Sequence, residues 1–178
     1  SVTFSLGRRL EWPDNYFTLS TSLTYKLYQL NDYAYAQSSL NFTTGEANTV
    51  LLTFNLARSS IDNPMYPSSG SSLSLTASFT PPFSKWQDID YETAEPSEKY
   101  RWVEYMKYMF DAKHYVSLIG KLVLETRAHF GFMNTYSPGT VEVGPFERFQ
   151  LGGDGLAGQN FILGTDIIGL RGYENLSI

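Results

Sequence analysis

Three charged side chains, Lys121, Glu125 and Arg127, fall on odd-numbered positions of one stretch. In an extended strand such positions share a face, and residues two apart lie about 7 Å from each other. Acid–base chemistry by paired carboxylates would need a second acid beside Glu125, and this stretch supplies none. The two histidines are His114 and His129. Neither belongs to a cluster of Asp, Glu or His at ligand spacing, so no metal site is expected. Absence of cysteine excludes disulfides, thiolate nucleophiles and Cys-based metal centres. No G-x-S-x-G elbow marks a serine nucleophile. Gly152, Gly153, Gly155 and Gly158 imitate a phosphate-binding loop, but the Lys-Ser/Thr pair and the strand–loop–helix setting are missing. The expectation is a chain that is not an enzyme and needs no cofactor, with Lys121, Glu125 and Arg127 as part of a polar wall.

The elements that carry these residues follow from composition and periodicity. Apolar residues make up 42% of the 178, aromatic ones 16% and charged ones only 17%. Soluble domains average about 25% charged, and disordered chains are poor in aromatics. Net charge is -5 and no basic run stands out, so nucleic acid is not an expected partner. No stretch reaches the roughly 18 apolar residues of a transmembrane helix. The start, SVTFSLGRRLEW, lacks the apolar core of a signal peptide.

Period two dominates. From Phe17 to Leu27, Phe17, Leu19, Leu23, Tyr25 and Leu27 share one face, while Thr18, Ser20, Ser22, Thr24 and Lys26 share the other. The same split appears over Val2–Leu10, from Val50 to Ala57, from Ser72 to Thr80, and from Tyr115 to Gly131. Tyr100–Asp111 is bulky on both faces; it reads as a strand of open facing, with a helix as the competing reading. Trp12–Asn15 and Asp111–His114 read as tight turns, and Asp62–Gly70 as a compact turn rich in Pro, Gly and Ser. Long polar links run from Gln29 to Asn48 and from Pro81 to Glu98. Long and short connections thus alternate, as in an up-and-down sheet.

Two solvents could receive the apolar faces. A soluble sandwich turns them inward, whereas a membrane barrel turns them toward lipid. The strands run about 10 to 17 residues, against the usual 5–6 of soluble sheets and the 9–11 of a tilted membrane strand. The opposite faces are rich in Ser and Thr, which suits a wet lumen. Aromatics gather near strand ends, as interfacial belts do. The expectation is an antiparallel transmembrane β-barrel. Six strands cannot close one, so the chain is expected to be a fragment of a larger barrel or to close with other chains.

At Leu170-Arg171-Gly172-Tyr173 the sequence resembles the (V/I/L)RG(F/Y) motif of the BamA-like outer-membrane assembly factors. Pro145-Phe146-Glu147-Arg148-Phe149, followed by Gly152-Gly153, resembles the aromatic stretch and Gly-Gly that precede that motif. Asp62–Gly70 resembles the family's D-x-x-x-Y-P-x-x-G turn. The likeness spans most of the chain, from Ser1 to Tyr173. It implies an all-β fold, the central portion of a sixteen-stranded barrel, with six strands and a long inward-folding loop over 132–178. Periplasmic POTRA domains and the flanking strands would lie outside this sequence. The resemblance implies that Leu170, Arg171, Gly172 and Tyr173 dock in the lumen, with Phe146, Phe149, Gly152 and Gly153 at the base of the loop. Arg171 would pair with acidic groups of the inner wall, a role suited to a planar, always charged fork of donors.

The implied function is insertion and folding of other barrel proteins in the bacterial outer membrane. Its partners would be nascent outer-membrane proteins, accessory assembly lipoproteins and outer-membrane lipids. Rival readings are a translocation pore of the two-partner secretion type and a passive porin or receptor barrel.

Overall fold

A computed structural model describes residues 1–32, 44–86, 93–137, 141, 144, 147–151 and 166–168. Six strands follow one another as an antiparallel sheet: β1 (Val2–Arg9), β2 (Phe17–Leu30), β3 (Gly45–Ser59), β4 (Gly70–Phe79), β5 (Met106–Ile119) and β6 (Leu122–Asn134). Each is hydrogen-bonded to its neighbour in sequence. Short β7 (Phe149–Leu151) and β8 (Asp166–Ile168) pair in parallel. Helix is limited to a 3-10 turn at Phe83–Lys85 and the single turn α1 (Pro96–Lys99) among the described residues. The fold is all-β.

The chain divides into two compact units. The first holds Ser1–Lys26, Val50–Pro81 and Met106–Asn134. Here the alternation read from the sequence becomes two faces. Across β4, β5 and β6 the partners Leu75–Phe110–Phe130 and Ala77–Tyr108–Phe132 lie on one face. Ser74–Asp111–His129 and Ser72–Lys113–Arg127 lie on the other. The apolar face is not covered: Leu19 is 38% exposed, Leu52 38%, Leu75 43% and Leu122 61%. A dry centre would have reduced these to a few per cent. Phe54, Phe79, Tyr108 and Phe132 form a row of ring contacts across four strands, with centroids 6.5, 5.6 and 6.5 Å apart. On the polar face, hydroxyls and amides bond across strands. Thr53 and Ser78 oxygens are 3.1 Å apart, and the Asn55 amide donates to Ser74 and Thr76 at 3.2 and 2.7 Å.

Several boundaries differ from the sequence reading. Asp111–His114 is not a turn but the middle of β5, and the strand read from Tyr100 begins only at Met106. The stretch read as one strand over Tyr115–Gly131 is the end of β5 and most of β6, joined by a hairpin at Gly120 and Lys121. Gly120 has φ +61, and the register shifts by one residue between Ser117 and Ile119. A glycine in the left-handed region beside a bulge is how a short hairpin loop matches strand twist. Facing within β5 is now set: Tyr108 and Phe110 lie on the apolar side, Lys107 and Asp111 on the polar side. β3 starts at Gly45, inside the segment read as a polar link.

The turn from Asp62 to Gly70 is built on one carboxylate. Asp62 accepts the Ser68 and Ser69 amides at 3.0 and 3.2 Å and the Ser68 hydroxyl as well. Asn63 accepts the Met65 amide at 2.9 Å. Gly70 has φ +106, and a Cβ there would sit 2.3 Å from the Ser60 carbonyl oxygen. These contacts explain why this turn carries Asp at its start and Gly at its end. The Ser68 hydroxyl, then the Ser68 and Ser69 amides, hold the Asp62 carboxyl well below its ordinary 3.8.

Two tests follow in the full-length protein. Gly70→Ala meets both a backbone clash and a disfavoured φ, and is expected to destabilise by at least about 2 kcal/mol in denaturant unfolding. Because the Asp62 carboxyl is depressed in the folded state, its contribution is fully present above 3.8 and fades as pH falls below that value. The protection factors at Ser68 and Ser69, measured against intrinsic exchange at each pH, should therefore fall on acidification below 3.8, and Asp62→Ala should abolish that dependence.

Candidate functional site at the base of the long loop

The second compact unit holds Leu27–Thr49, Pro82–Tyr105 and Thr135–Ile178. It contains the side chains that this chain buries most fully. Tyr105 and Ala47 are at 0% exposure and Val103 at 2%, with Leu30 and Val141 also buried. Strand alternation sets part of this core. Along β3, Ala47 and Thr49 are buried while Glu46 and Asn48 are not. Along β2 the even positions become less exposed toward Tyr28 and Leu30.

Residues 101–103 use the free side of β3. Strand β4 ends opposite Leu52, so the backbone of Asn48 has no β4 partner. Instead Asn48 donates its N–H to the Arg101 carbonyl, and its own carbonyl accepts from Val103, each at 2.9 Å. The result is a parallel bridge between Asn48 and Trp102. Glu104, buried, accepts the Ser84 amide at 2.7 Å and the Ser84 hydroxyl at 3.0 Å, which ties the 3-10 turn to this segment. Phe83 packs on Trp102 with centroids 4.8 Å apart.

The loop that leaves β6 folds onto the same unit. The buried Thr135 hydroxyl donates to the Val141 carbonyl at 2.9 Å, and the Val141 amide donates to Ser137 at 3.0 Å. Gly144 is packed so closely that a Cβ would lie 3.1 Å from Val103 Cγ1. Arg148 Nε donates to the Gly144 carbonyl at 2.9 Å. The Tyr28 hydroxyl donates to Glu147 Oε1 at 3.1 Å, a contact that joins positions 119 residues apart. Glu147 is itself buried and has φ +67, a conformation that a non-glycine residue adopts only when its surroundings impose it. Tyr28 lies at an even position of β2, in register with Ser20, Ser22 and Thr24.

The residues expected at the loop base and tip meet this geometry in part. Phe149 opens β7. Phe146, Gly152, Gly153, Leu170, Arg171, Gly172 and Tyr173 lie outside the described residues. Glu147 belongs to the Pro145–Phe149 stretch, but the sequence assigns neither it nor Tyr28 a role and does not signal their pairing. Nothing local marks them, because the bond depends on how distant strands align.

The expected wall residues separate. Arg127 pairs with Asp111, Nε to Oδ2 at 3.0 Å, and His129 Nδ1 lies 2.7 Å from the same oxygen. The acid missing from the strand of Arg127 is therefore supplied by β5. Glu125 faces Tyr115 across the ladder. Lys121 sits in the hairpin turn rather than within a strand. His114 is not in a turn but in β5, opposite Thr126 on the apolar side. No cluster of three or more His, Cys, Asp or Glu able to hold a metal occurs among the described residues.

An all-β sheet with one hydroxyl-rich face, and a loop returning to its second strand, is the context in which a family comparison becomes informative. The model of the Omp85 superfamily domain matches residues 1–178. The chain belongs to the Omp85 superfamily. No curated protein matches it. Within this Omp85 chain the loop base, where Tyr28 meets Glu147, is the candidate functional site.

If Glu147 anchors the loop, Tyr28→Phe leaves a buried carboxylate oxygen without that donor and should cost about 1–3 kcal/mol of docking. Limited proteolysis between Asn134 and Leu151 in the full-length protein should speed up roughly 5-fold or more. Glu147→Gln alone keeps both the Tyr28 donor and an acceptor, and should retain most of the protection.

Proposed function

We propose that this chain is part of the wall and internal loop of an outer-membrane barrel that inserts and folds other barrel proteins. The observation that carries the proposal is the exposed apolar face. Leu, Phe and Val side chains that would cost free energy against water occupy one side of all six strands, at about 25 cal/mol per Å². A hydrocarbon surround removes that cost and leaves the hydroxyl-bearing side for a wet lumen. Strands β2 to β5 are paired on both sides, as a bilayer requires of N–H and C=O groups, and in this reading further strands of the larger barrel pair the outer edges of β1 and β6.

The Omp85 superfamily includes BamA-type assembly factors and two-partner secretion translocators. The RG(F/Y)-like tetrapeptide Leu170–Tyr173, downstream of Phe149 and Gly152-Gly153, is compatible with both types; the number of POTRA domains in the full-length protein would separate them, several for assembly and two for secretion. In the assembly reading the barrel has sixteen strands, and Arg171 reaches the inner wall as a bidentate donor. Gly172 admits the close approach, and Tyr173 packs beside it. The activity is mechanical rather than covalent: a nascent strand adds to an exposed strand edge by β-augmentation. Outer-membrane lipids and accessory lipoproteins are the surroundings in which it acts, and no cofactor takes part. Lys121, Glu125 and Arg127 contribute polar surface and no chemistry.

The test is complementation of an assembly-depleted strain by the full-length protein. Arg171→Ala is expected to lower the level of folded outer-membrane proteins several-fold while the protein itself still reaches the membrane. Full complementation with unchanged protease protection of the loop would refute the assembly role. Loss of secretion of one dedicated partner, with other barrels unaffected, would favour the translocator instead.

A further inference from the structure

We propose that the apolar face carries a phospholipid site near the short-turn end of β3 to β6: a trough for one acyl chain, with the lipid phosphate at Arg58. This rests on the lipid-facing assignment above. The register sets side chains of this face in transverse rows. One row is the stacked pair Phe110 and Phe130, with centroids 4.8 Å apart. The next is Leu73, Ala112 and Ala128, which are direct partners across β4, β5 and β6. Successive rows are about 7 Å apart along a strand. Two methyl groups beside two phenyl rings therefore leave a depression, and a cavity of about 440 Å³ lies there, with Arg58, Ser71, His114 and Thr126 also in its lining.

The row after the alanines is polar, and Arg58 of β3 sits opposite Leu73 on the same, mostly hydrocarbon face. Ser71, His114 and Thr126 are successive partners across three strands. Polar groups facing acyl chains are costly unless they meet a partner. Arg58 flanks the row and is held rigidly. Its Nε donates to Asp14 at 2.9 Å, and its Nη1 donates to the Ser60 and Ser71 hydroxyls at 3.2 and 3.0 Å. Nη2 lies 2.9 Å from the same Asp14 oxygen. The rings of Tyr16 and Phe17 lie 5.6 and 5.7 Å from the guanidinium carbon. A guanidinium has five N–H donors, so Nη2 keeps a second hydrogen for an acceptor in the trough.

A phosphodiester with an attached hydrocarbon tail satisfies both halves of the feature. Its anionic oxygens complement the remaining Nη2 hydrogen of a fixed guanidinium, while the Ser71 hydroxyl stays with Arg58 and Ser60, and Thr126 donates to the His114 carbonyl at 3.5 Å. Its acyl chain covers the methyl floor. Diacylglycerol has the tail without the anion, and inorganic phosphate has the anion without the tail; neither should suffice.

The test uses full-length protein in phosphatidylcholine nanodiscs doped with spin-labelled phosphatidylglycerol or spin-labelled diacylglycerol. The immobilised fraction is read by electron paramagnetic resonance, and heat-modifiable gel mobility checks folding. Wild type should immobilise the phosphatidylglycerol probe at least threefold more than the diacylglycerol probe, and inorganic phosphate should not displace it. Ala128→Leu, which fills the trough, should remove the difference, and Ala112→Val provides a second folded variant. Equal immobilisation of the two probes, or an unchanged preference in both filled variants, would overturn the site while leaving the lipid-facing reading intact. Protein that remains dissolved and monomeric without detergent or lipid would overturn both.

Discussion

The segregation of hydroxyl from hydrocarbon across a single layer of backbone governs this molecule. Each strand presents Ser, Thr and Asn to one side and Leu, Phe and Val to the other, and ladder hydrogen bonds occupy the backbone between. In a soluble sheet the hydrocarbon side seeks a second layer. Here the first compact unit offers none: Leu52, Leu75 and Leu122 remain open. Stability in such a design cannot come from a dry core. It comes from the ladder, from cross-strand pairs on both faces, and from the solvent that meets the apolar side.

Among the described residues the most fully buried side chains gather in the second unit. Thr49, Val103, Tyr105 and Thr135 are almost completely enclosed. Much of that enclosure rests on backbone geometry rather than on large apolar side chains. The Asn48–Trp102 bridge, the Gly144 close approach and the Glu147 left-handed backbone are each local, specific and intolerant of rearrangement. The link after α1 and the loop after β6 are thereby fixed at defined points.

How much of this was legible depended on whether a feature is periodic. Faces of β1 to β4 followed directly from alternation. The β5–β6 hairpin did not, for a specific reason. Val116 pairs with Leu124 and Ala112 with Ala128, so even positions stay on the apolar side before and after the turn. The alternation therefore passes through the loop unbroken, and two strands resemble one. The charged run at Asp111–His114 looked like a turn because Asp, Lys and His are unusual inside strands. In the fold Asp111 turns to the polar face, where Arg127 and His129 meet it. Residues such as Glu147 and Tyr28 carried no signal at all, because nothing in a local window brings together positions so far apart.

That long-range bond also orders events. Strands β2 to β6 join neighbours in sequence and can zip one hairpin at a time, with little loop-closure entropy at each step. The Tyr28–Glu147 contact closes a loop of 119 residues and gains nothing until the strands between are aligned. On entropic grounds it is expected to close after the strands between have paired. A one-residue slip of β2 would turn Tyr28 to the opposite face, away from Glu147, so the bond is available only to a strand in register.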